Sequence, residues 1–154
     1  MASYTRITGI FLVDRRGWLL LQERDEHAPV APNQWGIVGG HVDEGEDWEA
    51  SRDRELLEET GLVLPEGTLD LWYDGVVAHD ELRTSHEWRV YVGRVDLADA
   101  DITCGEGRQI VFVDPAEFGD LDLAESLGYF LPRLVESGWL RTGTSPSRWR
   151  DPAS

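Results

Sequence analysis

Between Gly40 and Leu62 the chain reads GHVDEGEDWEASRDRELLEETGL, with glycines, acids and one arginine at spacings that suit a capped helix. The acidic start, the good helix formers Glu, Leu and Arg, and Gly61 as terminator predict a helix over 47–60. At about 100° per residue, Glu55, Glu58 and Glu59 then fall within an arc of about 100° on one ridge. Like charges three and four residues apart repel and weaken a bare helix. A sequence that clusters them calls for a neutralising partner. A hard dication suits: Mg2+ and Mn2+ take oxygen ligands, and Mg2+ keeps waters whose positions substrate phosphates can take. For the three carboxylates by themselves, a solvated acidic face is the competing reading.

Further positions surround the triad: Gly39-Gly40 ahead of the loop, Gly45-Glu46 entering the helix, Arg54 beside the glutamates and Gly61 closing it. Here the chain resembles the Nudix hydrolase family, whose box runs G-x5-E-x7-R-E-U-x-E-E-x-G-U, with U a bulky aliphatic residue. Gly40, Glu46, Arg54, Glu55, Leu56, Glu58, Glu59, Gly61 and Leu62 fill its specified positions. The resemblance implies a loop, a helix and a second loop, with Glu55, Glu58 and Glu59 binding Mg2+ or Mn2+ or acting as base. It also implies a metal ligand in the Gly39 carbonyl, an orienting role for Arg54 and an anchoring role for Glu46. Which glutamate takes the proton from water stays open. Val38 stands where many members carry proline, which only fixes φ and removes a donor, so the ligands are untouched.

Glu106, in Cys104-Gly105-Glu106-Gly107-Arg108, corresponds to a glutamate that completes the metal site in several nucleotide-hydrolysing members. Its flanking glycines permit unusual φ and close approach. A simple turn between strands is the alternative.

The activity implied is metal-dependent hydrolysis of a diphosphate linkage in a nucleoside diphosphate derivative, with Arg54, Glu55 and Glu58 carrying the catalysis. Nucleoside triphosphates, including oxidised ones, are the first substrate class, giving the monophosphate and pyrophosphate. Nucleotide sugars or ADP-ribose come next. A non-catalytic nucleotide-binding module is the reading from another class, but such domains often lose box carboxylates and this chain has lost none. An isopentenyl-diphosphate isomerase would use a cysteine embedded earlier in the chain, whereas the lone Cys104 lies late.

For the rest of the substrate, Arg24 and His27 in one loop and Arg83 and His86 in a later connection are candidates for phosphates or a base. Trp35, Trp72, Tyr73 and Trp88 are candidates for stacking on a nucleobase, with core packing as the competing fate. His41, at a variable position of the box, is expected at the surface.

With 154 residues the chain suits one domain that buries roughly 68–70% of its unfolded surface. The expected domain is 1–141, followed by a loose tail at 142–154 rich in Ser, Thr, Pro and Arg. Thirty acidic against 14 basic residues, a formal charge of −16, argue against a nucleic-acid surface. A small anionic substrate remains compatible, because bound cations offset the field of the carboxylates. No apolar run approaches a membrane span, and the N-terminus lacks a signal-peptide pattern, so a cytoplasmic protein, monomer or homodimer, is expected. Cys104, the single cysteine, excludes an intramolecular disulfide.

Periodicity predicts a hairpin from Ile7–Val13, a turn at 14–17 and a returning strand over 18–22, then a short strand over 34–38 delivering the box. Strands over 69–78, 87–95 and 109–113 follow, with a polar connection at 79–85 and a short helical turn from Asp114. An amphipathic helix over 123–136, expected to kink at Pro132, ends the domain. Elements in this order give an α/β (α+β) fold. The resemblance makes it the Nudix fold, a mixed β-sheet sandwiched between α-helices, covering roughly residues 5–140.

Overall fold

The computed structural model describes residues 4–80 and 82–142. Its strands are β1 (Thr5–Val13), β2 (Leu19–Glu23), β3 (Trp35–Gly36), β4 (Val38–His41), β5 (Leu69–His79), β6 (Thr84–Arg94) and β7 (Gln109–Val113). Its helices are α1 (Trp48–Thr60), α2 (Glu125–Glu136) and α3 (Trp139–Thr142), with 3-10 turns at Asp99–Asp101 and Pro115–Asp120. The tail expected at 142–154 lies, apart from Thr142 at the end of α3, outside the described residues.

One mixed sheet contains every strand, with β3, β2, β1, β6 and β5 in spatial order. The first hairpin forms as expected: Asp14 accepts the backbone N–H of Arg16 at 2.9 Å and of Trp18 at 3.0 Å. Gly17 takes the positive φ that the turn requires. The two strands then part. Only Val13 and Leu19 mark their pairing, and β2 runs on against β7 while β1 runs parallel to β6.

The single short strand expected over 34–38 is instead two. β3 pairs with β2, and β4 pairs with β1 from Ile7 to Ile10. Ile37 lies between them, against Gly9, where an added Cβ would sit 2.6 Å from its Cδ1. This crossing brings Gly39 and Gly40 to the middle of the sheet. The polar connection expected over 79–85 is shorter, because His79 and Thr84 still pair as the last rung of the β5–β6 hairpin.

Side chains alternate across the sheet as the strand period demands. Phe11, Val13, Leu19 and Leu21 join Leu127, Phe130, Leu131 and Leu134 of α2 in a core on one face. Ile10, Leu12, Leu20 and Val38 join Leu56 of α1 in a core on the other. The sheet is thus sandwiched between helices, as expected. α2 is continuous through Pro132 and buries one stripe with the i, i+3, i+4, i+7 spacing of an amphipathic helix.

Candidate active site

Helix α1 is built by its own sequence. Asp47 caps it, accepting the Ala50 N–H at 2.7 Å, and Gly61 ends it at φ 74° with its N–H on the Leu57 carbonyl at 2.9 Å. Leu56 anchors it to the sheet. Glu55 and Glu59, four residues apart, face the strands from one side of the helix, and the burial of Glu59 is the price of that orientation.

The two glycines of β4 receive these carboxylates. The Gly39 N–H donates to Glu59 Oε2 at 3.0 Å. A Cβ at Gly39, where φ is +146°, would lie 2.0 Å from the Thr8 carbonyl oxygen. A Cβ at Gly40 would lie 2.5 Å from the Glu55 carboxyl carbon. Bare backbone is what allows both acids to approach the sheet.

Burial has an electrostatic consequence. Desolvation is the main force pushing the Glu59 carboxyl up to about 8, and the negative charges of Glu55 and Glu106 add to it against the Gly39 hydrogen bond. Glu55 is raised too, again first by burial, with Arg54 opposing.

Arg54 organises the other side. Its Nε and Nη2 form a fork on Glu46 at 2.8 and 3.0 Å, its Nη2 also donates to the His41 carbonyl at 3.0 Å, and its Nη1 donates to Glu55 and Glu58, each at 3.1 Å. The Arg54 hydrogen bond holds Glu46 down at about 2, helped by the Asp43 N–H. The same pairing raises the Arg54 guanidinium above its ordinary value. Glu46 therefore ties loop to helix through an arginine that also holds two of the three triad glutamates.

The triad is split rather than gathered. Glu58 is largely exposed and drawn to Arg54, whereas Glu55 and Glu59 line the cleft. No group of three or more His, Cys, Asp or Glu side chains stands arranged around one ion among the described residues. The physical reason is that Glu58 is one residue off the i, i+4 row and finds its own i, i+4 cation.

Glu106 arrives from the far end of the chain. The Thr103 and Gly105 N–H groups bond the carbonyls of Thr60 and Glu59 at 2.9 and 2.8 Å, docking the loop on the end of α1. Buried Gln22 donates to the Glu106 carbonyl at 2.9 Å. A Cβ at Gly105 would lie 2.0 Å from the Glu58 carbonyl oxygen, so only glycine permits this contact. Glu106 thereby shares a cleft of about 360 Å3 with Gly39, Gly40, Glu55 and Glu59. Their donors are all oxygens, a set that fits Mg2+ or Mn2+, and the clustered negative charge is what a dication would offset.

Arg24 also lines this cleft, its Nε donating to the Val30 carbonyl at 2.8 Å and its charge opposing the rise at Glu59. Trp35 does not line it. Its ring packs against the α2-side core, and its backbone bridges to Asp122 and Ala124. Arg83 is likewise outside, exposed at φ 52° with its N–H on the Asp80 carbonyl at 3.1 Å. Trp72 and Tyr73 are buried in the core, His27 is exposed, and Trp88 and His86 reach the cleft wall. His41, expected at the surface, is exposed and also borders the cleft. Sequence reasoning missed Gln22, His79, Glu125 and Ser126. Gln22 carried one signal, a polar residue after Leu19-Leu20-Leu21; the others carried none.

The model of the NUDIX domain family matches residues 3–134. Three solved structures share the fold. A MutT protein from Methanosarcina mazei Go1 is 21% identical, with 88% of this chain and 95% of that one covered and a TM-score of 0.72. The NUDIX domain of NrtR from Shewanella oneidensis, in complex with ADP ribose, is 17% identical over 88% and 89%, with a TM-score of 0.73. The Nudix hydrolase RenU from M. smegmatis is 21% identical over 97% and 92%, with a TM-score of 0.66. At these identities the likeness is one of fold.

Proposed function

Because the chain belongs to the NUDIX family and is a Nudix hydrolase, we propose that it hydrolyses the diphosphate linkage of a nucleoside triphosphate, oxidised ones included, to the monophosphate and pyrophosphate. The observation that carries this is the meeting of Glu55, Glu59 and Glu106 beside Gly39 and Gly40 in one cleft. The Glu55, Glu59 and Glu106 carboxylates and the Gly39 carbonyl would hold Mg2+ or Mn2+, with Glu58 joining when released from Arg54. Such an ion lowers the pKa of water and stabilises charge on the diphosphate.

The protein's own groups supply the rest. Water attacks one phosphorus, the bridging P–O bond breaks, and the departing phosphate leaves with the electron pair. A glutamate held by Arg54, Glu55 or Glu58, accepts the proton of the attacking water. Arg54 acts by positioning, since Glu46 fixes its fork while Nη1 remains on both candidate bases. Arg24, in the same cleft, meets substrate phosphate.

A nucleotide sugar or ADP-ribose is the second reading, favoured by the ADP ribose held in the Shewanella oneidensis NUDIX domain. No described helix is long and apolar enough to cross a membrane. A single domain over 1–141, a cytoplasmic setting and a monomeric or homodimeric state complete the proposal.

The test is product analysis on a panel of nucleoside triphosphates, nucleotide sugars and ADP-ribose with Mg2+, for wild type and Glu59→Gln. Turnover of a triphosphate, lost in the variant, supports the reading. Tight binding of one compound with no turnover of any would replace it with a binding module.

A further inference from the structure

Lining the same cleft as the carboxylates, three histidines from three strands converge. His41 of β4 and His79 of β5 stand with ring centroids 6.5 and 6.0 Å from that of His86 on β6. His86 is 7% exposed, lines the cleft, and its Nδ1 has no hydrogen-bond partner among the described residues. A buried imidazole nitrogen left unsatisfied costs free energy, so its place on a cleft wall calls for a partner from outside the chain.

The neighbours define what that partner is. Glu125 at the start of α2 accepts the Asp80 N–H at 2.6 Å and lies 3.4 Å from His79 Nδ1, which places a carboxylate rather than a cation beside the cluster. Burial above all, then His79 and His41, holds the His86 imidazole below its ordinary value, so the ring is uncharged at neutral pH. An anion finds little to bind there. Ile7, Ile37, Leu82 and Trp88 supply apolar surface around the same space, and Ser126 a hydroxyl. Apolar walls with a few convergent polar groups suit a flat, uncharged ring with hydrogen bonds at its edge.

We propose that this histidine-lined end of the cleft is the recognition site for an uncharged heterocyclic base, with His86 Nδ1 as its specificity-determining contact. The inference rests on the nucleotide reading above, and it assigns the base to the His86 wall and the phosphates to the Glu59 wall. It places no second phosphate at this end, because the Glu125 carboxylate stands beside the cluster and buried His86 is held below its ordinary value.

The experiment measures binding rather than turnover. Calorimetric titrations of the full chain compare the nucleoside 5′-monophosphates with ribose 5-phosphate, for wild type and His86→Phe, which keeps a ring and removes both nitrogens. Wild type is expected to bind at least one nucleotide tenfold or more tighter than ribose 5-phosphate, and the variant to lose most of that ratio while still binding ribose 5-phosphate. In case the variant does not fold, imidazole nitrogen NMR of wild type gives a second reading, with His86 Nδ1 shifted by the nucleotide and not by ribose 5-phosphate. Equal binding of all these compounds, a ratio unchanged in His86→Phe, or a silent His86 resonance overturns the proposal. Base discrimination in a protein that hydrolyses nothing would leave this site standing and remove the hydrolytic reading; hydrolysis without base discrimination would do the reverse.

Discussion

The Gly39 N–H donates to the Glu59 carboxylate at 3.0 Å, joining a strand in the middle of the sheet to a buried acid on the helix that covers it. That bond opposes the burial that drives the acid up to about 8. Glu59 is therefore a cost to the folded state that a cation can remove.

Its pH dependence has a definite sign. Between the ordinary value of 4.5 and about 8, the folded chain holds the Glu59 proton more tightly than the unfolded chain does, so this group's contribution to stability falls as pH rises through that window. Glu59→Gln, which keeps an acceptor for Gly39, should raise Tm relative to wild type by several degrees more at pH 8.5 than at pH 5, with metal chelated. Equal Tm differences at the two pH values would refute the assignment.

Added Mg2+ should raise the Tm of wild type at pH 8, since a ligand that binds only the folded state stabilises it by mass action. In Glu59→Gln the increase should shrink to a small fraction. Thermal melts across a Mg2+ titration decide it, and equal increases in both proteins would remove Glu59 from the ligand set.

Arg54→Lys keeps the charge and loses the fork on Glu46. Loss of such a supporting contact costs about 10–100-fold in activity. The fall should appear mainly in kcat, because the affected bonds hold the candidate bases Glu55 and Glu58. Steady-state kinetics check this; a change confined to KM would assign Arg54 to substrate binding instead.

Two glycine substitutions should move in opposite directions. Gly105→Ala drives a Cβ to within 2.0 Å of the Glu58 carbonyl oxygen, so it should displace the Glu106 loop and lower Tm, at about 1–3 kcal/mol. Gly128→Ala, in α2 with nothing within 4 Å, should raise stability by roughly 0.5–1 kcal/mol through helix propensity. Denaturant unfolding of the pair provides the comparison.

Features of short range were legible in the order of the residues. The caps Asp47 and Gly61, the helix between them and the apolar alternation of the strands follow from neighbours a few residues apart, and they gave the layered fold and the carboxylate ridge. Which carboxylates share a cleft depends instead on long-range packing. Glu58 lies on the predicted ridge but stays largely exposed on Arg54 Nη1, while Glu106 comes in from a loop that Gln22 and the end of α1 hold in place. Long-range packing also sets Trp35 against the α2-side core, leaves Arg83 outside the cleft, and brings His41, His79 and His86 together. Those placements depend on strand pairing across long sequence separations, which the spacing of residues along the chain does not encode.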